Sequence, residues 1–405
     1  MTKDRIVLLD SLRGLAILGI LLCNIPVAAM PERVAESVPL WPLGQNAATV
    51  TVWYVTQALF QQKFYTLFSM LFGASILLVA GEGPLLNLTL IKRLVSLLVI
   101  GLLHGFLLWQ GDVLSFYALV GLVAMLARGW SAKRLLAAGI AIHLGVYAWR
   151  GFKTLQHAPK TLLPMPPEIK AKILAQVQAE TARFSGDFMS SLLANAHGYK
   201  EFVVGSWSEW PPIWPLMVLG LMLMGMGLFK LGVLKGEAST RTYQALIAAG
   251  LGALVIVAFV LSLYLATGAS VGLLGSLGRT LQGFTAPVVS LGYLGLLALA
   301  ARSRIWKTIP AILAPAGQMA FTNYLMQSVI MTVIFYGGRG PALYGKLDRP
   351  ALTAIVVAMW VAQLLWSRWW MARYTMGPLE WAWRLAYRGR TPLRRAIEPI
   401  SDLKS

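Results

Sequence analysis

The apolar positions of this chain fall in long unbroken runs, not in the short alternations of strands or the one-sided stripes of soluble helices. A helix that crosses a bilayer needs about 20 mostly apolar residues. Ten stretches meet that need, near 6–29, 51–79, 92–110, 112–128, 132–149, 211–230, 243–267, 279–301, 309–336 and 350–372. The first starts too polar and runs too long for a cleaved signal peptide, and lacks a small-residue cleavage site, so it reads as a retained first helix. Trp109-Gln110-Gly111-Asp112 is a tight turn that makes the third and fourth runs a hairpin. The pattern predicts an all-α polytopic membrane helix bundle of about ten spans over 1–376, followed by a basic interfacial tail over 377–405.

Between the fifth and sixth runs lies a long connection, 150–210, the one extramembrane piece of any size. Pro159, Pro164, Pro166 and Pro167 mark an irregular entry, and Glu168 to Phe188 is helix-like, with Ile169, Ile173, Val177 and Phe184 at helical intervals of four, four and seven. That helix either lies flat on the membrane surface or packs a small apolar face on the bundle. In the tail, Gly377-Pro378-Leu379-Glu380-Trp381-Ala382-Trp383-Arg384 mixes Trp and Arg as an interfacial anchor does.

Orientation follows from Lys and Arg near helix ends, which favour the cytoplasm. With both termini inside, the inner segments collect twenty-one cations, from Lys3, Arg5, Lys92, Arg93 and Arg128 through the tail's Arg390, Arg394, Arg395 and Lys404. The short outer loops then carry four: Arg33, Arg339, Lys346 and Arg349. The expectation is a multi-pass protein of the bacterial inner membrane with 150–210 extracytoplasmic.

Composition agrees. Hydrophobic residues make up 57% and charged residues 13%, against about 25% charged in soluble domains. The net charge of +19 is read as topology and contact with anionic lipid, not as a nucleic-acid footprint. Cys23 is the single cysteine, and histidines at 104, 143, 157 and 197 have no metal-ligand spacing, so no metal site and no tightly bound cofactor are expected.

Polar residues within spans cost about 2.5–3.5 kcal/mol each on insertion scales and normally face a partner or a wet cavity. On the first run Asp10 and Arg13 are three apart and can pair. Asn24 stands roughly 21 Å further along the axis, near the same face. On the second run Gln57, Gln61, Gln62 and Lys63 interrupt an aromatic stretch. His104 stands about 16 Å up its helix from Arg93, with Trp109, Asp112 and Tyr117 at the same end of the hairpin. Arg279 and Gln282 open the eighth run, and Asn323 and Gln327 share a face of the ninth. Arg279 would either neutralise Asp112 or present a cation to a substrate. The sequence-level expectation is one polar chamber holding Asn24, Gln57, Gln61, Lys63, His104, Asp112, Arg279, Asn323 and Gln327.

Several stretches also carry a resemblance. Arg5-Ile6-Val7-Leu8-Leu9-Asp10-Ser11-Leu12-Arg13-Gly14-Leu15-Ala16-Ile17-Leu18-Gly19, followed by Asn24, resembles the opening of the YeiB family of bacterial inner-membrane proteins. So do Lys63 to Gly73, His104 to Gly121, and Met319 through Gln327 with Gly377-Pro378-Leu379-Glu380-Trp381. The family is distantly similar to the transmembrane acyltransferases, such as heparan-glucosaminide acetyltransferase, which move an acetyl group from cytosolic acetyl-CoA to a sugar amine. Those relatives share the Asp-x-x-Arg-Gly opening, matched by Asp10, Arg13 and Gly14, and an asparagine matched by Asn24. Their catalytic histidine lies in the loop after the first helix, and here Ile25 to Ala48 contains no histidine.

Three functions follow as expectations. The first is an acyltransferase moving an acyl group from acetyl-CoA or another acyl-CoA to an envelope glycan or lipid. In it His104 is the base, Asp112 its orienting partner and Asn24 the oxyanion donor. Gln57, Gln61, Lys63, Arg279, Asn323 and Gln327 would bind acceptor, and Asp10, Arg13, Lys92 and Arg93 would bind donor. The second is a transporter or flippase of an amphiphile, and the third a non-catalytic scaffold or sensor. Partners are membrane lipids and the envelope acceptor, with self-association open.

Overall fold

The computed structural model describes residues 6–83, 86–157, 166–267, 273–389 and 392–393. Lys3, Arg5, Pro159, Pro164, Arg390, Arg394, Arg395 and Lys404, used in the sequence reading, lie outside the described residues. The described chain is helical, with no β-strand. In order the helices are α1 (Val7–Ala29), α2 (Glu32–Ala35), α3 (Ala47–Val55), α4 (Lys63–Ala80), α5 (Leu88–Leu107), α6 (Leu114–Ala124), α7 (Ala132–His157) and α8 (Pro167–Ser185). There follow α9 (Phe188–Ser208), α10 (Ile213–Lys230), α11 (Thr240–Thr267), α12 (Leu273–Arg302), α13 (Thr308–Gln318), α14 (Ala320–Phe335), α15 (Arg349–Met371) and α16 (Pro378–Arg388). Among the described residues eight helical segments are long and apolar enough to cross a membrane; Leu114–Ala127 and Ala320–Phe335 are shorter apolar helices. Together they account for all ten runs.

The bundle has two ends. One, the tail side, holds the start of α1, the α6–α7 and α10–α11 turns and α16. There Arg128 donates to the carbonyls of Ala80 and Gly83, and Lys230 to those of Arg128 and Trp130. The other, the loop side, holds α2, α8, α9 and the α5–α6 turn. There Arg349 stacks on Trp41 and donates to the carbonyls of Ala35 and Ser37.

Two of the spans are broken, which the apolar pattern does not predict. The segment 47–80 passes from α3 through a π turn at Thr56–Phe60 to a kink where Gln62 adopts φ 68°, and only then enters α4. Backbone groups freed inside a bilayer must find partners within the protein. Here Lys63 Nζ donates to the Gln57 carbonyl at 2.9 Å, with Gln282 Nε2 on the same oxygen at 3.3 Å. The hydroxyls of Tyr293 and Ser290 serve the carbonyls of Leu59 and Lys63. The ninth run likewise splits into α13 and α14 at Met319, where Asn323 Nδ2 reaches back to the Ala316 carbonyl.

Helix α1 is the central element, packed against α4, α13, α14 and α15. It meets α13 so closely that a Cβ at Gly14 would strike the Leu313 carbonyl, and one at Gly317 the Asp10 carbonyl. Small residues allow this approach where lipid supplies no hydrophobic drive between helices.

The long connection contains a second helix, α9, which sequence reading did not anticipate. It lies over the α5–α6 hairpin, with Asn195 donating to the Gly105 and Phe106 carbonyls and Tyr199 to Ser115 Oγ. Helix α8 does not lie free on the membrane. Phe184 is buried against Tyr336 and Tyr344, and its carbonyl accepts from Gly337 N–H. Its apolar face packs on the bundle.

Gly14→Leu and Gly317→Leu should each cost about 1–3 kcal/mol by overpacking. Thermal unfolding in detergent measures it; wild-type melting temperatures for both would refute the close α1–α13 contact.

Candidate functional site

The face of α1 that repeats at Asp10, Arg13, Ile17, Ile20 and Asn24 lines a cavity of about 590 Å³. The cavity opens on the tail side and continues towards the middle of the bundle between α4, α6 and α14. Phe68, Leu71, Phe72, Leu78 and Val79 give it apolar walls, with Tyr65, Tyr117 and Tyr324 towards its inner end. Asp10 and Arg13 pair at 3.2 Å at its mouth.

The floor comes from the C-terminal segment. Helix α16 crosses α5 and α14, and Glu380, Trp383, Arg384, Tyr387 and Arg388 all line the cavity. Glu380 acts as a cap for α14: its carboxylate accepts from the N–H groups of Phe321 and Thr322 and from the Thr322 hydroxyl. Trp383 donates to Ser96 Oγ at 2.9 Å, and the Arg93 guanidinium lies 4.9 Å above its ring. Helix α16 is therefore a wall of the cavity. Its Trp and Arg pattern was visible in sequence; what it docks against was not.

A second cavity, about 780 Å³, opens on the loop side. Glu32, Glu36, Gln61, Gln62, Arg150, Glu180, Arg183 and His197 give it a polar lining, with Trp109, Phe202 and Trp214 among its aromatic walls. Ile20, Asn24, Tyr65, Gly111 and Val113 line both cavities. The two approaches, from opposite ends of the bundle, thus share one partition.

Asp112 sits between two partition residues, Gly111 and Val113. His104 Nδ1 lies 2.9 Å from Asp112 Oδ1, while Oδ2 accepts from the Ser115 N–H at 3.0 Å. Both side chains are almost fully buried. The carboxylate fixes the imidazole orientation and leaves Nε2 buried without a partner. The ring stands 5.3 Å from Tyr324 and 6.5 Å from Trp109. His104 itself lines neither cavity; Tyr324 and Trp109 line one each.

The chain has relatives along nearly its whole length. It is 33% identical over 396 residues to the uncharacterized protein YeiB of Escherichia coli (strain K12), covering 94% of this chain and 96% of the relative. The chain belongs to the YeiB family. It is also 28% identical to the uncharacterized protein YxaH of Bacillus subtilis (strain 168), with 95% of each chain covered. A family model described as "Protein of unknown function (DUF418)" matches residues 228–390. No solved structure matches.

The stretches that carry the YeiB resemblance all reach the cavity walls. Asp10 and Arg13 stand at the mouth, Tyr65, Phe68 and Phe72 on one side, Gly111, Val113, Leu114 and Tyr117 at the inner end, and Tyr324 with Glu380 opposite. Other expected site residues do not converge there. Asn323 and Gln327 are engaged between α14 and α15, with Ser367 and Gln363, and Gln327 also donates to the Ile17 carbonyl. They and the His104 hairpin belong to separate helix pairs, so the residues expected in a single chamber are distributed over two cavities, a small cleft and several structural bonds. Lys63 is fully buried in the helix break. Gln57 and Arg279 line a separate small cleft with Glu36 and Gln282. Arg279 does not pair with Asp112, which His104 and Ser115 already engage. Lys92 is exposed and lines no cavity, whereas its neighbour Arg93 does. Gln61, donating to Glu36 Oε1, remains in the loop-side cavity.

Burial pushes the Glu380 carboxyl above its ordinary value of 4.5, against the pull of the hydrogen bonds from Thr322 and Phe321. A carboxyl raised in the folded state contributes stability below its unfolded value and loses it as pH rises through the folded one. Docking of α16, followed by Trp383 fluorescence, should therefore weaken as pH rises through the weakly acid range. Glu380→Gln should flatten that dependence, and Glu380→Ala should cost roughly 0.5–2 kcal/mol as a lost cap. An unchanged pH profile in Glu380→Gln would show that another group is responsible.

Proposed function

We propose that this YeiB-family chain is an integral-membrane acyltransferase, passing an acyl group from a coenzyme A thioester on the tail side to an envelope glycan or lipid on the loop side. The observation that supports it is the partition shared by two cavities of opposite access, with a His–Asp pair whose Asp112 stands between two of its residues. The tail side is the cytoplasmic one, by the cation excess of its short loops. Arg13, Arg93, Arg384 and Arg388 surround the tail-side mouth, and guanidinium groups suit the phosphates of CoA. The pantetheine arm would run along α1 past Ile17, since Arg13 and Asn24 are about 16 Å apart on the axis.

The chemistry is an addition and elimination at the thioester carbonyl. The acceptor O–H or N–H gives its proton to His104 Nε2 as the oxygen or nitrogen attacks. The Asn24 amide donates to the oxyanion, the C–S bond breaks, and the departing thiolate takes the proton back. Because Nε2 faces neither cavity in this conformation, Tyr324 or Trp109 must swing aside for the proton transfer. That same closure favours a second reading, in which an amphiphile moves along the path without bond chemistry and His104 only ties the hairpin together.

Purified protein supplied with labelled acetyl-CoA separates these readings. Transfer to extracted envelope material is expected, with His104→Ala slower by roughly 10²–10⁴-fold and folded, and Arg384→Ala raising the donor KM more than it lowers kcat. Full activity in His104→Ala removes the histidine from the mechanism. Passage of a labelled lipid without loss of acetyl-CoA supports translocation. Orientation has its own test: with Cys23→Ser, a cysteine at exposed Ala171 should label in intact cells, and labelling only after lysis would reverse the topology.

A further inference from the structure

A third cavity lies outside the two approaches. It is a lateral crevice of about 580 Å³ between α7, α11 and α12, walled by Leu144, Tyr147, Val260, Leu281 and Phe284. Its surroundings are membrane-facing: Leu144 and Phe284 are themselves exposed, as are Val255 and Phe259 on α11. Its loop-side end is different. Arg150 stands one turn beyond Tyr147 on α7, with its guanidinium 5.8 Å from that ring. Arg279 follows Gly278, which lines both the crevice and the small cleft that holds Arg279. By the rise of the helix, Arg150 is about 9 Å from Leu144 along α7, at the level where headgroups follow acyl chains.

We infer that this crevice is a binding site for an anionic phospholipid, its acyl chain along Leu144, Tyr147 and Phe284 and its phosphate between Arg150 and Arg279. The charge at the end of the crevice selects this occupant: an apolar groove alone would take any chain, but two guanidiniums favour phosphate. Among the described residues Arg279 donates to Ser276 Oγ at 3.3 Å and stands near Glu36 and Tyr264, which also feel Arg349. Arg150 stands near Glu36, Tyr65 and Tyr147 and also lines the loop-side cavity with Glu32, Glu180 and Arg183. Arg349 is already engaged by Ala35, Ser37 and Trp41. Glu36 feels both Arg279 and Arg150, accepts from Gln61, and is pushed towards its neutral form by burial. Among the described residues it forms no ion pair with either cation.

The crevice also abuts the loop-side cavity. The Tyr147 hydroxyl reaches Gln62 Oε1 at 3.4 Å and Met217 Sδ at 3.1 Å, and both of those residues line the polar cavity. A lipid seated here has its headgroup beside that cavity, whether or not the protein transfers acyl groups, so its binding can be tested without any enzymatic readout.

The test is native mass spectrometry of the full chain released from nanodiscs of equal phosphatidylglycerol and phosphatidylcholine. One retained phosphatidylglycerol is expected, enriched about tenfold over phosphatidylcholine, a difference of about 1.4 kcal/mol. Arg150→Gln with Arg279→Gln should bring the ratio near one, Arg150→Lys with Arg279→Lys should keep most of the enrichment, and Ala148→Trp, which fills the crevice from its lipid face, should lower retention of both lipids. Inorganic phosphate should not displace the lipid, because the chain contributes to binding. Unchanged enrichment in the glutamine pair, or undiminished retention in Ala148→Trp, would overturn the site. If the glutamine pair fails to fold, the Ala148→Trp and lysine variants still decide.

Discussion

A backbone carbonyl released inside a bilayer has no water to turn to, and this molecule releases several at two helix breaks next to α1. The break between α3 and α4 is held by Lys63, Gln282, Tyr293 and Ser290, and that between α13 and α14 by Asn323 on one side and Glu380 on the other. These bonds hold α1 against helices that are not straight, and so leave room along its Asp10–Asn24 face for a cavity rather than close packing. The price in polar side chains is considerable. It explains why a chain so apolar overall carries Lys, Gln and Asn at depth.

The same constraint separates structure from chemistry among the buried polar groups. Lys63, Asn323 and Gln327 have every appearance of a site in sequence, but each spends its donors on a carbonyl or a neighbouring side chain. His104 differs. Its Nδ1 is committed to Asp112 and its Nε2 is left unused in an almost dry setting, an arrangement that costs stability unless another partner arrives. Asn24 differs as well, lying half-buried on the partition of two cavities and making no side-chain hydrogen bond among the described residues.

How much of this is legible in the sequence depends on the range of the interaction. Spans are set by apolar length, and the ten apolar runs are all helical, eight of them long enough to cross a membrane and two shorter. The α5–α6 hairpin is legible from four turn residues, and with it the meeting of His104 and Asp112. Breaks are not legible, because residues 47–80 and 308–335 remain apolar and helix-compatible on both sides of the kink; Gln62 and Lys63 announce a polar requirement without saying that it is the backbone's. Helix α9 escapes because its apolar positions, such as Phe188 and Leu193, are diluted by Ser, Asn and Lys below the density of a span. The role of α16 rests on contacts between Glu380 and Thr322, and between Trp383 and Arg93, which are far apart in the chain.

The central claim is that two passages from opposite faces of the membrane meet at Asn24. In a Cys23→Ser background, Asn24→Cys can be probed with a small membrane-impermeant thiol reagent in right-side-out and in inverted vesicles, with Ala16→Cys, on a fully buried face of the same helix, as the reference. Modification of residue 24 from both faces, and of residue 16 from neither, is the predicted result. Modification of residue 24 from one face alone, or from neither, would contradict the shared partition and with it the account of a reaction carried across the bilayer.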